Sequence, residues 1–87
     1  MKIKEGFILR EVAGSLVVVA VGKAVKDFNG VVNLNQTGGF LWRKIEEGCD
    51  EQGLVDALLS EYDVDRDIAK RDVKAFIDKL TEAGLIE

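Results

Sequence analysis

The sequence of residues 31–42 is VVNLNQTGGFLW, and the fold depends on a change of pattern inside it. Three of its first four residues are apolar and two of these are β-branched, which predicts a short strand, Val31–Leu34. Asn35 then offers a side-chain oxygen to the free amides of a first helical turn, so a helix is expected from Gln36 to about Glu47. The chain therefore changes from strand to helix at Asn35.

Two adjacent glycines, Gly38 and Gly39, lie near the start of this predicted helix. Each costs about 1 kcal/mol relative to alanine inside a helix, because its backbone loses more conformational freedom. Two interpretations follow: either another element packs closely against the backbone here, or the start of the helix is frayed. The neighbouring Phe40 and Trp42 are expected to fill the core rather than to bind a ligand, because aromatic side chains bury much apolar surface.

The residues before this stretch predict two longer strands. Residues 7–12 (FILREV) and 16–21 (LVVVAV) are apolar and partly β-branched, and residues 13–15 (AGS) between them are typical of a turn. Residues 29–30 (NG) predict a further turn before the third strand, because this dipeptide tolerates positive φ. The expected sheet is three-stranded and antiparallel.

Two more helices are predicted after the first. Asp50 can cap a helix whose apolar side chains recur on one face, at Leu54, Val55, Leu58, Leu59 and Tyr62. Asp65 can cap a longer helix that runs to about Ala83, with Gly84 just after its end. Strands followed by helices indicate an α+β fold, here winged helix-turn-helix-like, in a single domain over residues 1–87.

Composition excludes several classes of function. With 16 acidic and 12 basic residues the formal net charge is -4, which disfavours nucleic-acid binding. His is absent and Cys occurs once, so the chain cannot form a zinc tetrad, a Cys–His nucleophile pair or an internal disulfide. No catalytic residue, metal site or cofactor is predicted. The single Cys49 and the lack of a long apolar run lead us to expect a cytoplasmic protein without membrane contact.

The third predicted helix has a buried stripe and a mixed shoulder. At 100° per residue, the residues expected in the core are Ala69, Val73, Phe76, Leu80 and Ala83. The shoulder beside them combines small, apolar and oppositely charged side chains: Ile68, Asp72, Ala75 and Lys79. This shoulder is either the ordinary boundary of an amphipathic helix or one wall of a groove.

The short strand Val31–Leu34 is a second candidate recognition element. At the edge of a sheet, its free amides and carbonyls can pair with a strand of another chain, which is either a separate peptide or a second copy in a homodimer. A winged-helix fold also suggests a DNA-binding regulator. Over residues 63–82, however, acidic residues slightly outnumber basic ones, whereas a helix that approaches phosphates needs a positive balance.

The order of several segments resembles one known family. The most specific motif is LNQTG at residues 34–38, with Trp42 behind it. Compatible segments lie around it in the same order: FILREV (7–12), DFNGVVNLNQTGGFLW (27–42), LVDAL (54–58), DVKAF (72–76) and Gly84-Leu85. Over almost its whole length the chain resembles the family of coenzyme PQQ synthesis protein D, the PqqD-like domains.

The resemblance implies a non-catalytic peptide-recognition domain without a cofactor. Such domains bind the leader of a ribosomally made precursor peptide and present the precursor to a modifying enzyme, often a radical SAM enzyme. The leader is added as a strand beside the third strand and is held against the third helix. The binding residues that the resemblance implies here are Val31, Val32, Asn33, Leu34, Ile68, Asp72, Ala75, Phe76 and Lys79. The pathway, PQQ or another, stays open.

Overall fold

The computed structural model describes residues 1–26 and 30–87, and its elements follow the predicted order. The strands are β1 (Phe7–Val12), β2 (Ser15–Ala20) and β3 (Val31–Leu34), and the helices are α1 (Gln36–Glu46), α2 (Glu51–Glu61) and α3 (Arg66–Glu82). The predicted α+β fold class is confirmed. The predicted turn at residues 29–30 begins at Asn29, which lies outside the described residues. No helix in the described part of the chain is long and apolar enough to cross a membrane.

The three predicted helix caps are present. Each cap side chain accepts a hydrogen bond from the amide three residues later: Asn35 from Gly38 at 2.7 Å, Asp50 from Gly53 at 2.8 Å and Asp65 from Ile68 at 2.9 Å. Such a cap satisfies an amide that has no partner inside the helix and contributes about 1 kcal/mol. Asn35 thereby ends β3 and begins α1 without a connecting loop.

The sheet has the order β1-β2-β3, with β2 antiparallel to both neighbours. In its middle, Val18 pairs with Leu9 on one side and with Val32 on the other. Successive side chains of a strand point to opposite faces. Val32 and the buried Leu34 face the helices, whereas Val31 and Asn33 are exposed on the other face. Both β1 and β3 are edge strands of the described sheet.

The core lies between one face of the sheet and the helices. Its largest fully buried side chains are Trp42, Leu41, Leu54, Leu80, Leu85, Val18 and Val73. The predicted stripe of α3 is buried at Ala69, Val73, Phe76 and Leu80, while Ala83, at the C-cap, is only partly buried. Phe40 is also partly buried and packs edge-to-face against Tyr62, with 5.6 Å between ring centroids.

The two glycines of α1 permit a close approach between the helix and its surroundings. A Cβ atom on Gly39 would lie 2.5 Å from Cδ1 of Leu16, and one on Gly38 would lie 3.3 Å from both Leu34 and Phe76. Both glycines are buried within a regular helix. Close packing, rather than a frayed start, is therefore the reason that these positions lack a side chain.

Two features of the fold were not predicted. A 3-10 helix, Gly22–Lys26, follows β2. The two ends of the chain pair with each other through a bridge between Ile3 and Ile86, where the Lys4 amide donates to the Leu85 carbonyl at 2.8 Å. This pairing holds the chain ends beside the C-terminus of α3.

Candidate functional site

The free edge of β3 is the first component of the candidate site. One side of β3 pairs with β2, and no other strand in residues 1–26 and 30–87 pairs with its opposite side. Val31 is 57% exposed, although valine is a strongly strand-forming apolar residue. An edge strand of this kind presents unpaired main-chain donors and acceptors along its length.

A groove between β3, the start of α1 and one face of α3 is the second component. Its volume is about 350 Å³. Its floor is apolar and includes Leu34, Leu41 and Phe76, of which Phe76 is 8% exposed and belongs to both the core and the groove. The other residues that line it are Asn35, Thr37, Gly38, Asp72, Ala75 and Lys79. Asp72 and Lys79 are the charged side chains at its wall.

A single hydrogen bond joins the wall of the groove to the edge of the sheet. The Lys79 ammonium donates to the main-chain carbonyl of Asn33 at 3.0 Å. That carbonyl is therefore accessible from the α3 side of β3. In an antiparallel ladder the direction of main-chain groups alternates between residues, so the Asn33 amide and the main-chain groups of Val31 point the same way. The edge that faces α3 thus carries several groups able to pair with an added strand.

The structure brings most of the predicted binding residues together. Leu34, Asp72, Ala75, Phe76 and Lys79 line the groove. Asn33 reaches it through the bond to Lys79, and Val31 and Val32 continue along the same strand.

The predicted residue Ile68 lies elsewhere on α3. It is 37% exposed and lies one turn before Asp72, toward the N-terminus of α3. It is not among the residues that line the groove. Four lining residues were not predicted: Asn35, Thr37, Gly38 and Leu41. The sequence contains one signal for these residues, the pair of glycines. A helix that packs closely at Gly38 brings its first turn into the wall of the groove.

A second depression, of about 610 Å³, lies at the β1–β2 turn and reaches the other side of β3 and α1. Its lining is largely polar and includes Glu11, Gln36, Arg43 and Tyr62. It also borders β3 and includes the apolar Leu34 and Phe40, but none of its lining residues belongs to α3, so it does not lie between the sheet edge and that helix. We therefore regard the smaller groove as the candidate site.

Some of the exposed basic groups of α3 are paired with carboxylates of α3 itself or of α2. The Lys74 ammonium lies 2.9 Å from a carboxylate oxygen of Asp78, and the hydrogen bond with Asp78 raises the pKa of Lys74. Arg66 lies 3.7 Å from a carboxylate oxygen of Asp56. Carboxylates beside these basic groups oppose the approach of phosphates, so this part of α3 does not have the charge pattern of a DNA-recognition helix.

Comparison with known proteins identifies the family of this fold. Residues 15–86, which include β2, β3 and all three helices, match the model of the family of coenzyme PQQ synthesis protein D (PqqD). The chain belongs to the PqqD family. The predicted family resemblance is thereby confirmed. No curated protein sequence gives a significant match.

Two solved structures share the fold of this PqqD-family chain. TbiB1 in complex with the TbiA(beta) leader peptide has a TM-score of 0.81 and 28% sequence identity, and the match covers 100% of this chain and 95% of that chain. Lasso peptide synthetase B1 complexed with the leader peptide has a TM-score of 0.79 and 22% identity, over 99% of this chain and 95% of that chain. Both neighbours match nearly end to end.

Hydrogen exchange at β3 tests whether its edge is free. The amides of Val31 and Asn33 should exchange about tenfold faster, or more, than those of Val32 and Leu34, because only the second pair points toward β2. The rates are measured by NMR on the peptide-free protein. The amide of Val18, in the central strand, serves as the protected reference. Equal protection at all four β3 positions would show that the edge is not open.

Proposed function

We propose that this chain is an adaptor that captures the leader of a ribosomally synthesised precursor peptide as an added strand on β3. The observation that carries this proposal is the free edge of β3 beside a groove with an apolar floor, in a chain of the PqqD family. Main-chain pairing with the edge supplies binding that depends little on sequence, and the groove selects side chains of the leader. The similarity to TbiB1, whose structure is a complex with a leader peptide, supports a leader peptide as the ligand.

The site offers a bound strand two kinds of contact: main-chain pairing with β3 and side-chain packing in the groove. An added strand alternates its side chains, so every second one faces the groove. Its apolar side chains can pack on Phe76 and Leu41, and the small Ala75 leaves room for them on the wall of α3. We propose that Val31, Val32, Asn33 and Leu34 bind the leader's main chain, and that Asp72, Ala75, Phe76 and Lys79 contact its side chains. Ile68 would contact the leader only if the bound strand extends to the N-terminal end of α3.

The groove supports binding better than catalysis, so we propose that the adaptor is not an enzyme. Asp72 and Lys79 are seven positions apart on α3, a distance of about 10 Å along the helix axis. Acid–base chemistry needs both groups within reach of the same reacting atoms. We propose that the chemistry resides in a separate peptide-modifying enzyme, of the radical SAM or another type, which receives the bound precursor. We place the adaptor in the cytoplasm, where precursors are made and where the single Cys49 stays reduced.

A titration followed by backbone amide NMR tests the proposed function. The ligands are leader segments of small peptides encoded beside the gene for this chain, and duplex DNA is titrated separately. We expect one leader to shift the amides of residues 31–34 and 72–79. Shifts at Arg66, Lys70 and Lys74 with DNA, and none with any leader, would instead identify a DNA-binding regulator. Gel filtration of the free protein checks whether the β3 edge is already occupied by a second copy.

A proline in β3 tests whether the leader binds as a strand. Asn33→Pro removes an amide that points away from β2, and proline is tolerated where an edge strand faces solvent. We expect the domain to fold and leader affinity to fall about tenfold, because a carbonyl of the bound peptide loses its donor. The affinities are measured by calorimetry, with circular dichroism as the check on folding.

The matched control for that variant is a proline on the other edge of the sheet. Glu11→Pro changes an exposed position of β1, far from the groove on α3. It should leave leader affinity unchanged. Asn33→Ala separates the contribution of the side chain, because it keeps the amide. If Asn33→Pro bound as tightly as the unmodified protein, strand addition at β3 would be wrong.

A large side chain in the groove tests the role of α3. Ala75→Trp places an indole on the groove wall at an exposed helical position, where the fold has no need of a small residue. We expect leader affinity to fall about tenfold or more, because the indole occupies the space that the leader side chains need. Lys70→Trp puts the same ring on α3 outside the groove and is expected to bind normally. Unchanged affinity for Ala75→Trp combined with Asp72→Arg would contradict the assignment of the groove.

A further inference from the structure

Among the residues that the structure describes, the two charged side chains of the groove have no ionic partner. Within the described residues, neither the Lys79 ammonium nor the Asp72 carboxylate lies within 4 Å of an opposite charge, in contrast to Lys74 and Arg66 on the outer face of the same helix. Lys79 instead donates to an uncharged main-chain carbonyl, that of Asn33. The groove therefore holds one ammonium and one carboxylate that are not paired with an opposite charge from residues 1–26 or 30–87.

The position of Lys79 has a direct consequence for strand addition. The Asn33 carbonyl points toward the open edge and is an acceptor that the amide of an added strand would use. An incoming peptide must therefore share this carbonyl with Lys79 or displace the ammonium from it. A displaced ammonium at the exposed wall of the groove can bond to water or to the peptide, and a carboxylate is the strongest acceptor that a peptide can offer.

We propose that Lys79 and Asp72 are specificity-determining residues that select a leader by its pattern of charge. The leader carries an acidic side chain at the strand position opposite Leu34, on the face of the sheet that points toward the helices, where it receives the ammonium of Lys79. It carries a basic side chain near Asp72. This proposal rests on the proposed function and adds the charge pattern of the peptide to it.

Helix and strand dimensions set the spacing of the two charges in the leader. Seven residues of α3 separate Asp72 from Lys79, which is about 10 Å along the helix axis. A strand covers that distance in about three residues. Side chains an even number of positions apart share a face of a strand, so in a leader strand that runs along α3 the acidic and basic residues are two or four positions apart.

Because the chain as a whole is negatively charged, the preference for an acidic residue is expected at one position of the leader only. At a formal net charge of -4, the protein as a whole repels an acidic peptide. A preference for glutamate over lysine is therefore expected at one position of the leader, the one beside Lys79, and not along its length. This distinguishes a specific contact from general electrostatic attraction.

A charge scan of the leader tests the proposal. The probe is the leader segment that binds in the NMR titration, with each residue of its bound stretch replaced in turn by glutamate and by lysine. For the unmodified protein, we expect one position at which the glutamate peptide binds about five- to tenfold more tightly than the lysine peptide. A second position, two or four residues away, should show the opposite preference. Both preferences should shrink at high salt.

Charge reversal on the protein identifies the residues responsible. Lys79→Glu should invert the first preference without changing the second, and Asp72→Lys should invert the second without changing the first. Lys70→Glu makes the same change of net charge as Lys79→Glu, but on α3 outside the groove. It should invert neither preference. A purely structural role of Lys79 would weaken all peptides alike and would not invert any preference.

The outcomes separate this proposal from the proposed function. If a leader binds the unmodified protein and Lys79→Glu inverts no preference, the charge selection is wrong while the adaptor function stands. If no leader binds, both are wrong. If the preference for glutamate is spread evenly over the scanned positions, the selection is not made by Lys79.

Discussion

The close approach of the first turn of α1 to its neighbours is the constraint on which the rest of the structure depends. Gly38 and Gly39 lie where a Cβ atom would come within 3.3 Å of Leu34 and Phe76 and within 2.5 Å of Leu16. Without side chains at these positions, β3 and α1 follow each other with no loop, and α1 packs against both the sheet and α3. The groove exists because this turn forms part of its wall between the edge strand and α3.

A free strand edge is a hazard as well as a binding element, because it can pair with any exposed strand. β3 is only four residues long, which limits the number of main-chain bonds that an unrelated strand can form. Lys79 also places a charge over the edge, and lysines near edge strands are a common protection against unwanted pairing. The same side chain can therefore keep the edge unoccupied in the free protein and contribute to the choice of peptide.

Most of the secondary structure could be predicted from the sequence, because its signals are local. Asn35, Asp50 and Asp65 cap the helices where the sequence pattern placed them, since a cap involves residues only three positions apart. The 3-10 helix Gly22–Lys26 was missed, because a turn of this length has no apolar period of its own. The pairing of Ile3 with Ile86 was missed because it joins the two ends of the chain.

The candidate site, too, could be predicted where its signals are local and not where it depends on long-range contacts. Three of its features follow from the sequence alone: the strand Val31–Leu34, the mixed shoulder of α3 and the charge that disfavours DNA. Strand propensity and helical period are properties of neighbouring residues, and net charge needs only the composition. The packing of the elements was needed to show that Asn35, Thr37 and Leu41 line the groove, that Ile68 lies outside it, and that Lys79 reaches Asn33. These last two residues are 46 positions apart, and no local pattern records a contact that forms only when α3 packs beside the edge of the sheet.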